Sequence, residues 1–243
     1  MPKSKKKVAP EWSDAEIELL KMLDKKGVRY ADRVKYFTGR TQDAIRNKTW
    51  EVRQMDANSW LEDQRVGFLD IETTNLKANF GVMLSWCLKL RGGKILEDCV
   101  TRKEMIDREL LDRRIAQSLV DTLRDKVDVV VTYNGTRFDI PYIRSRCLML
   151  GIDFLPYGAK KHIDMYYQVR GKLRLHRSSL DAACEALHIK GKTPISPQVW
   201  RDAALGYPDA LKAVLRHNRG DVRILEKLFE KLLPFARSTR RSI

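Results

Sequence analysis

Residues 66–69 are Val, Gly, Phe and Leu, an apolar run that ends in two acids, Asp70 and Glu72. Such a run reads as a buried strand. A core strand avoids carboxylates, because burying an unpaired charge costs several kcal/mol. Strand residues two apart point to the same face, so Asp70 and Glu72 converge. Converging anions at the end of a core strand call for a cation, and hard divalent metals prefer oxygen ligands. The competing reading makes both acids solvated loop residues, and this stretch alone does not decide between them.

Two further acidic motifs bear on the choice. In residues 133–142 an apolar run ends at Tyr133, Asn134 and Gly135 turn the chain, and Pro141 suits the first turn of a helix. Asp139 then sits at a helix start beyond the carboxyl end of a strand, where ligands gather in sheets of this kind. Taken alone, this motif favours the plainer reading, in which Asp139 merely caps the helix. In residues 217–221, His217 and Asp221 are four apart. On a helix that spacing leaves them roughly 40° apart on one face; a solvated face or a structural histidine would look the same.

The chain has 243 residues, a formal charge of +15 and 43% hydrophobic residues. That length allows one medium domain with a small one, and the apolar content supports a real core. The positive excess implies a polyanionic partner, nucleic acid before an anionic membrane surface. No apolar run approaches the roughly 20 residues of a membrane span. The amino terminus lacks the apolar stretch of a secretion signal. Cys87, Cys99, Cys147 and Cys184 are widely spaced, as expected of reduced thiols in an intracellular protein rather than zinc ligands or disulfides.

Residues 1–10 carry Lys3, Lys5, Lys6 and Lys7 and form a basic arm: a nucleic-acid tail, an import signal or a solubilising end. Three short helices fit residues 11–54. Ser13 and Glu16 have capping-box spacing ahead of Ile17, Leu20 and Leu23. A second helix over 30–37 would turn Ala31 and Val34 inward. Thr41 can cap a third, with Ala44, Ile45 and Trp50 on one side. Its other side offers Gln42, Arg46, Asn47 and Lys48, able to contact bases or phosphates. This is a helix-turn-helix pattern. Residues 55–64 read as a linker. Residues 65–243 then give strands over 66–69, 82–90, 95–100 and 127–133. Helices follow over 105–124, 141–150, 179–187 and 208–233, with a short strand or turn near 162–166. The implied class is α/β, a mixed sheet flanked by helices. Lys160, Lys161, Arg170, Lys172, Arg174 and Arg177 form a basic stretch, either a solvated face or a rim that grips a nucleic-acid backbone. His162, His176 and His188 lack ligand spacing.

Residues 11–54 resemble Myb/SANT-like helix-turn-helix domains through Trp12, the apolar first helix, Gly39, Arg40, Thr41, Ala44, Ile45 and Lys48. The second helix is short and no regular tryptophan triplet is present. The resemblance implies DNA binding through Arg40, Gln42, Arg46, Asn47 and Lys48; a protein-interaction module is the alternative.

Asp70, Glu72, Asp139 and Asp221, in the order strand, helix start, late helix, resemble the DEDD superfamily of 3′–5′ exonucleases over about residues 66–233. The likeness is strongest to the exonuclease regions of B-family DNA polymerases. It implies a ribonuclease-H-like fold and two divalent cations, Mg2+ or Mn2+, held by those four acids. It also implies a terminal-nucleotide site at Thr73, Leu76, Asn134 and Phe138, and nucleic acid, DNA first, as partner. One departure concerns His217. Polymerase-type members carry tyrosine four residues before the last aspartate, and another branch carries histidine five before it. Here histidine occupies the tyrosine spacing, so its role as base, water-orienting donor or spectator stays open. An endonuclease on the same metals, and a DNA-binding regulator with a non-catalytic nuclease-like domain, are the competing functions.

Overall fold

The computed structural model describes residues 11–59, 61–107, 109, 111–191 and 194–236, with residues 54–59 described by backbone alone. The basic arm of residues 1–10 lies outside the described residues. The chain falls into two compact units that divide between residues 59 and 60.

The first unit is built from three helices. α1 (Asp14–Lys25) opens on the expected capping box: the Glu16 amide donates to Ser13, and Glu16 accepts from the Ser13 amide at 2.9 Å. It closes through Gly27, at φ +68°, with the Val28 amide bonded back to Leu23 and the Gly27 amide to Asp24. That left-handed residue satisfies two carbonyls which the helix end would otherwise leave bare. α2 (Tyr30–Arg33) runs into a 3-10 turn over Val34–Tyr36, and α3 spans Gln42–Ser59. Leu20, Leu23, Phe37 and Ile45 form the core, with Trp12 edge-on to Phe37 at 5.7 Å.

Three expectations for this unit are corrected. Ala31 and Val34 face solvent, and Arg33 and Phe37 point inward. The tightening into a 3-10 turn changes the inward face, and Arg33 is stabilised there by Asp24 at 2.7 Å, the Val28 carbonyl at 2.8 Å and Thr49. Trp50 is 58% exposed; five positions after Ile45 it stands roughly 140° around the helix, and Thr49 and Val52 fill the inner face instead. α3 continues past residue 54, since no glycine or proline interrupts residues 55–59.

The second unit is a five-stranded sheet between helical layers. Its strands are β1 (Val66–Thr73), β2 (Met83–Leu90), β3 (Ile95–Cys99), β4 (Val129–Thr132) and β5 (Lys161–Asp164). They lie in the order β3-β2-β1-β4-β5. β1 pairs antiparallel with β2 and parallel with β4; β5 extends the parallel side. The helices are α4 (Arg102–Ile106), α5 (Arg113–Lys126), α6 (Asp139–Met149), α7 (Met165–Lys172), α8 (Leu180–Ala186), α9 (Pro197–Ala204) and α10 (Pro208–Leu232). None of the described helices is long and apolar enough to cross a membrane.

β1 is buried on both faces. Leu69 and Ile71 join a cluster with Ile115, Leu119 and Ile143 of α5 and α6. Val66 and Phe68 join the opposite cluster with Val222, Leu225 and Phe229 of α10, where Phe68 and Phe229 meet edge-to-face at 5.3 Å. Gly67 permits this packing, since a Cβ there would stand 2.5 Å from a Val127 methyl. The period of two then turns Asp70 and Glu72 toward α10. A buried ion pair ties the α5–α6 layer together: Asp112 accepts from Arg146 and from the Met83 amide at 2.8 Å. α9 had no counterpart in the sequence reading. Its eight residues and Pro197 at the first turn give a weak periodic signal, and it packs against α10.

Candidate active site

β1 runs through Thr73, so both acids belong to the strand itself. Glu72 meets α10 at its end. The His217 Nε2 lies 3.8 Å from a Glu72 oxygen and 3.7 Å from an Asp221 oxygen. One ligand atom from each of Glu72, His217 and Asp221 falls within 4.8 Å of the others, all three half-buried. The helical spacing of four thus puts His217 and Asp221 on one face, and that face looks at the end of β1. α9 contributes a residue that the sequence reading missed: Trp200 stands edge-on to the His217 ring at 6.2 Å. Its only signal was an aromatic between two prolines.

Asp139, the first residue of α6, is 3% exposed. Its carboxylate accepts from the Ile71 amide and its own amide, so it sits against β1 between Asp70 and Glu72. Burial pushes its pKa up to about 7, and the nearby negative charge of Asp164 pushes the same way. Asp70 is half-buried, and its backbone carbonyl accepts from the Asn218 side-chain Nδ2 at 3.3 Å, which ties α10 to the strand. The compact three-residue group therefore includes Glu72, His217 and Asp221, while Asp70 lies on the same strand as Glu72 and Asp139 reaches that strand from the start of α6. The donor set is carboxylate oxygens with one imidazole nitrogen, which suits a hard divalent cation.

The loop before Asp139 is held by Asp164, a second residue without a role in the sequence reading. Asp164 is buried, and its two oxygens accept from the Asn134 and Thr136 amides at 2.8 and 3.0 Å. It also caps α7 through the Tyr166 amide at 3.0 Å. Asn134 takes a positive φ of 63°, and Gly135 lies so close over Thr132 that any Cβ would collide with that side chain. Leu76, 77% exposed, and Phe138 line one cleft of about 310 Å3 with Arg137 and Tyr142. Asn134 lines a neighbouring groove instead. Thr73 Oγ1 donates to the Asn75 carbonyl at 3.0 Å, bracing the turn that carries Leu76.

In the first unit, Gln42, Arg46 and Asn47 are exposed on α3. Arg46 pairs with Asp43 at 3.0 Å and Lys48 with Glu51 at 2.8 Å. Arg40 has a side chain only 7% exposed; it pairs with Glu16 at 2.9 Å and covers the Trp12 ring at 4.3 Å. The guanidinium that the resemblance implied for DNA is committed to holding Trp12 and α1 in place.

Residues 67–233 match the RNase_H_2 family, described as RNase_H superfamily. The DNA polymerase of Thermococcus sp. (strain 9oN-7) is 27% identical over 167 residues, 59% of this chain and 20% of that protein. DNA polymerase 1 of Pyrococcus abyssi is 26% identical over 148 residues, 51% of this chain and 18% of that protein. The chain thus spans about a fifth of the length of these relatives. The solved structure of the family B DNA polymerase from the hyperthermophilic archaeon Pyrobaculum calidifontis shares the fold, with a TM-score of 0.58 at 23% identity over 71% of this chain and 25% of that one. Since the family match runs from within β1 to just past the end of α10, the chain belongs to the RNase_H superfamily.

Proposed function

We propose that this chain is a metal-dependent 3′–5′ exonuclease acting on nucleic acid, DNA in the first instance, with a first unit that adds DNA contacts. The observation that carries the reading is the convergence of Glu72, His217 and Asp221 within 4.8 Å, with the Asp139 carboxylate of α6 buried against the Ile71 amide of the strand that carries Glu72. Similarity to DNA polymerases favours a polynucleotide substrate.

Asp70, Glu72, Asp139 and Asp221 are the residues that would hold two divalent cations, Mg2+ or Mn2+. Bound there, such ions supply Lewis-acid stabilisation of the charge on a phosphodiester undergoing attack. The protein's own part is positional. His217 Nε2, between two carboxylates and steadied by Trp200, accepts or steers the proton of the attacking water. Phe138 and Leu76 flank the cleft that receives the terminal base, where stacking on Phe138 contributes ~1–3 kcal/mol. Thr73, on the turn that carries Leu76, and Asn134, from the neighbouring groove, are the groups offered to the sugar and phosphate. In the first unit, Gln42, Arg46 and Asn47 on the open face of α3 are the groups offered to duplex DNA.

The test is cleavage in Mn2+ of end-labelled single strands, duplexes and closed circles. Stepwise loss from the 3′ end with intact circles supports the proposal. Cut circles would move the reading to an endonuclease on the same acids. No cleavage of any substrate would leave the binding-only alternative.

A further inference from the structure

A second groove, of about 530 Å3, opens at the carboxyl ends of β4 and β5 and is lined by Tyr133, Asn134, Arg137, Tyr166, Ser178 and Ser179. Arg137 also lines the Phe138 cleft, so the two spaces share that residue as a wall. The walls are aromatic and basic: Tyr133 and Tyr166 meet edge-to-face at 6.4 Å, and Arg137 lies over the Tyr166 ring at 5.8 Å.

The chain that leads into this groove is basic throughout and extended after α7. Residues 160–177 hold six Lys and Arg against a single acid, Asp164, and that acid is buried and engaged by the amides of Asn134, Thr136 and Tyr166. Beyond α7, Leu173 and Leu175 turn into the core beside α10. Lys172, Arg174 and His176 alternate with them on the exposed edge, and Arg177 follows. The far end is fastened where the Tyr133 hydroxyl donates to the Ser178 carbonyl at 2.7 Å. Among the described residues, Lys172, Arg174 and Arg177 pair with no carboxylate, whereas basic residues elsewhere in this unit, such as Arg65, Arg91, Arg114 and Arg219, do. A fixed row of uncompensated cations repels itself until a polyanion covers it.

We propose that this row and the Tyr133–Tyr166 groove form the track for a single-stranded polynucleotide whose end reaches the acidic cluster. The track rests on the nuclease reading for its destination and on its own geometry for its ligand. Cations along a backbone together with aromatic faces for bases are the chemistry of single-strand binding, and a duplex, with its bases stacked inside, has no use for the aromatic faces.

The experiment compares a dinucleotide with 12-residue strands of dT and of U, in Mn2+, for the protein and for the combined variant Lys172→Ser, Arg174→Ser, Arg177→Ser. The loss in kcat/KM should grow from about twofold or less on the dinucleotide to about tenfold or more on a 12-residue strand. Binding measured without metal should show its log Kd against log salt slope flattened by about 2, as three lost single-strand phosphate contacts require. A loss on either the dT or the U strand supports the track and tells which sugar it accepts. Tyr166→Leu should weaken strand binding without changing that slope, which separates stacking from charge. Loss that does not grow with length overturns the proposal. So does an equal slope change in the control variant Lys103→Ser, Lys126→Ser, Lys231→Ser, or an effect confined to duplex. If the unaltered protein hydrolyses not even the dinucleotide, the nuclease reading falls, and the salt slope still decides the track.

Discussion

The two units handle positive charge in opposite ways. Residues 11–59 hold ten Lys and Arg against nine Asp and Glu, and residues 60–243 hold 33 against 23. In the first unit the arginines are paired fasteners, two of them internal: Arg33 and Arg53 share Asp24, and Arg40 holds Glu16. In the second, the excess includes Lys172, Arg174 and Arg177, which meet no acid among the described residues. Basic residues in a small helical unit therefore need not mean nucleic acid, whereas unpaired ones on a fixed extended stretch point outward to a partner. The largest expected effect tests the destination of that partner. Asp70→Ala should lower hydrolysis by about three orders of magnitude or more, with binding of a 12-residue strand retained; full activity in that variant would break the link between track and acidic cluster.

Buried pairs sharpen the comparison next. Asp112 has a side chain 0% exposed and, among the described residues, Arg146 as its one arginine. Arg146→Met strands that charge and should destabilise the second unit by about 3–5 kcal/mol. Arg33→Met leaves Asp24 with Arg53 at 2.6 Å and partial solvent access, so about 1–2 kcal/mol is expected in the first unit. Hydrogen exchange read separately over the helices of each unit measures both. Equal losses would mean that the two pairs are interchangeable after all.

How much of this was legible in the sequence depended on whether a residue broke its local pattern. Asp70 and Glu72 stood out because acids do not end a core strand without cause, and Asp221 because His217 preceded it by one helical turn. The alternation that buries Phe68 against α10 carried both acids to the face that α10 covers. Asp164 was not legible as a fastener, because its partners are amides 28 and 30 residues away. Trp200 was not legible, because α9 is short and its contact with His217 is tertiary. Polarity misled in the first unit. Arg33 is charged yet buried, since a short helix and a 3-10 turn changed which positions face in, and Trp50 is apolar yet exposed, since five residues past Ile45 it stands on the other side of α3.

Acid should separate the units by sign. The Arg40 guanidinium holds the Glu16 carboxyl at about 2, below its ordinary 4.5. Its stabilisation is present above pH 4.5 and fades as pH falls toward 2. Asp139 is the reverse: burial lifts it to about 7 from 3.8. Its folded form is favoured below pH 4, and that advantage is lost as pH rises through 7. In chelator, Asp139→Asn should match the unaltered protein near pH 4 and melt at least about 3 °C higher at pH 8. Glu16→Gln should melt lower at pH 7 and level with the parent by pH 2. The same slope in both variants would remove the contrast.

The smallest effect concerns the first unit's own surface. Trp50 is 58% exposed and lies one turn beyond Arg46 and Asn47 on α3. Nothing in the core depends on it, so Trp50→Ala should change stability by no more than about 0.5 kcal/mol. If that face meets DNA, duplex affinity should still drop several-fold while single-strand affinity holds, because the proposed single-strand track lies in the second unit. A drop in neither would assign the open face of α3 to a protein partner, since an exposed tryptophan among polar residues is also a common anchor of protein interfaces. In that case the second unit alone would account for nucleic-acid binding by the described residues, consistent with the balance of charges that each unit keeps for itself.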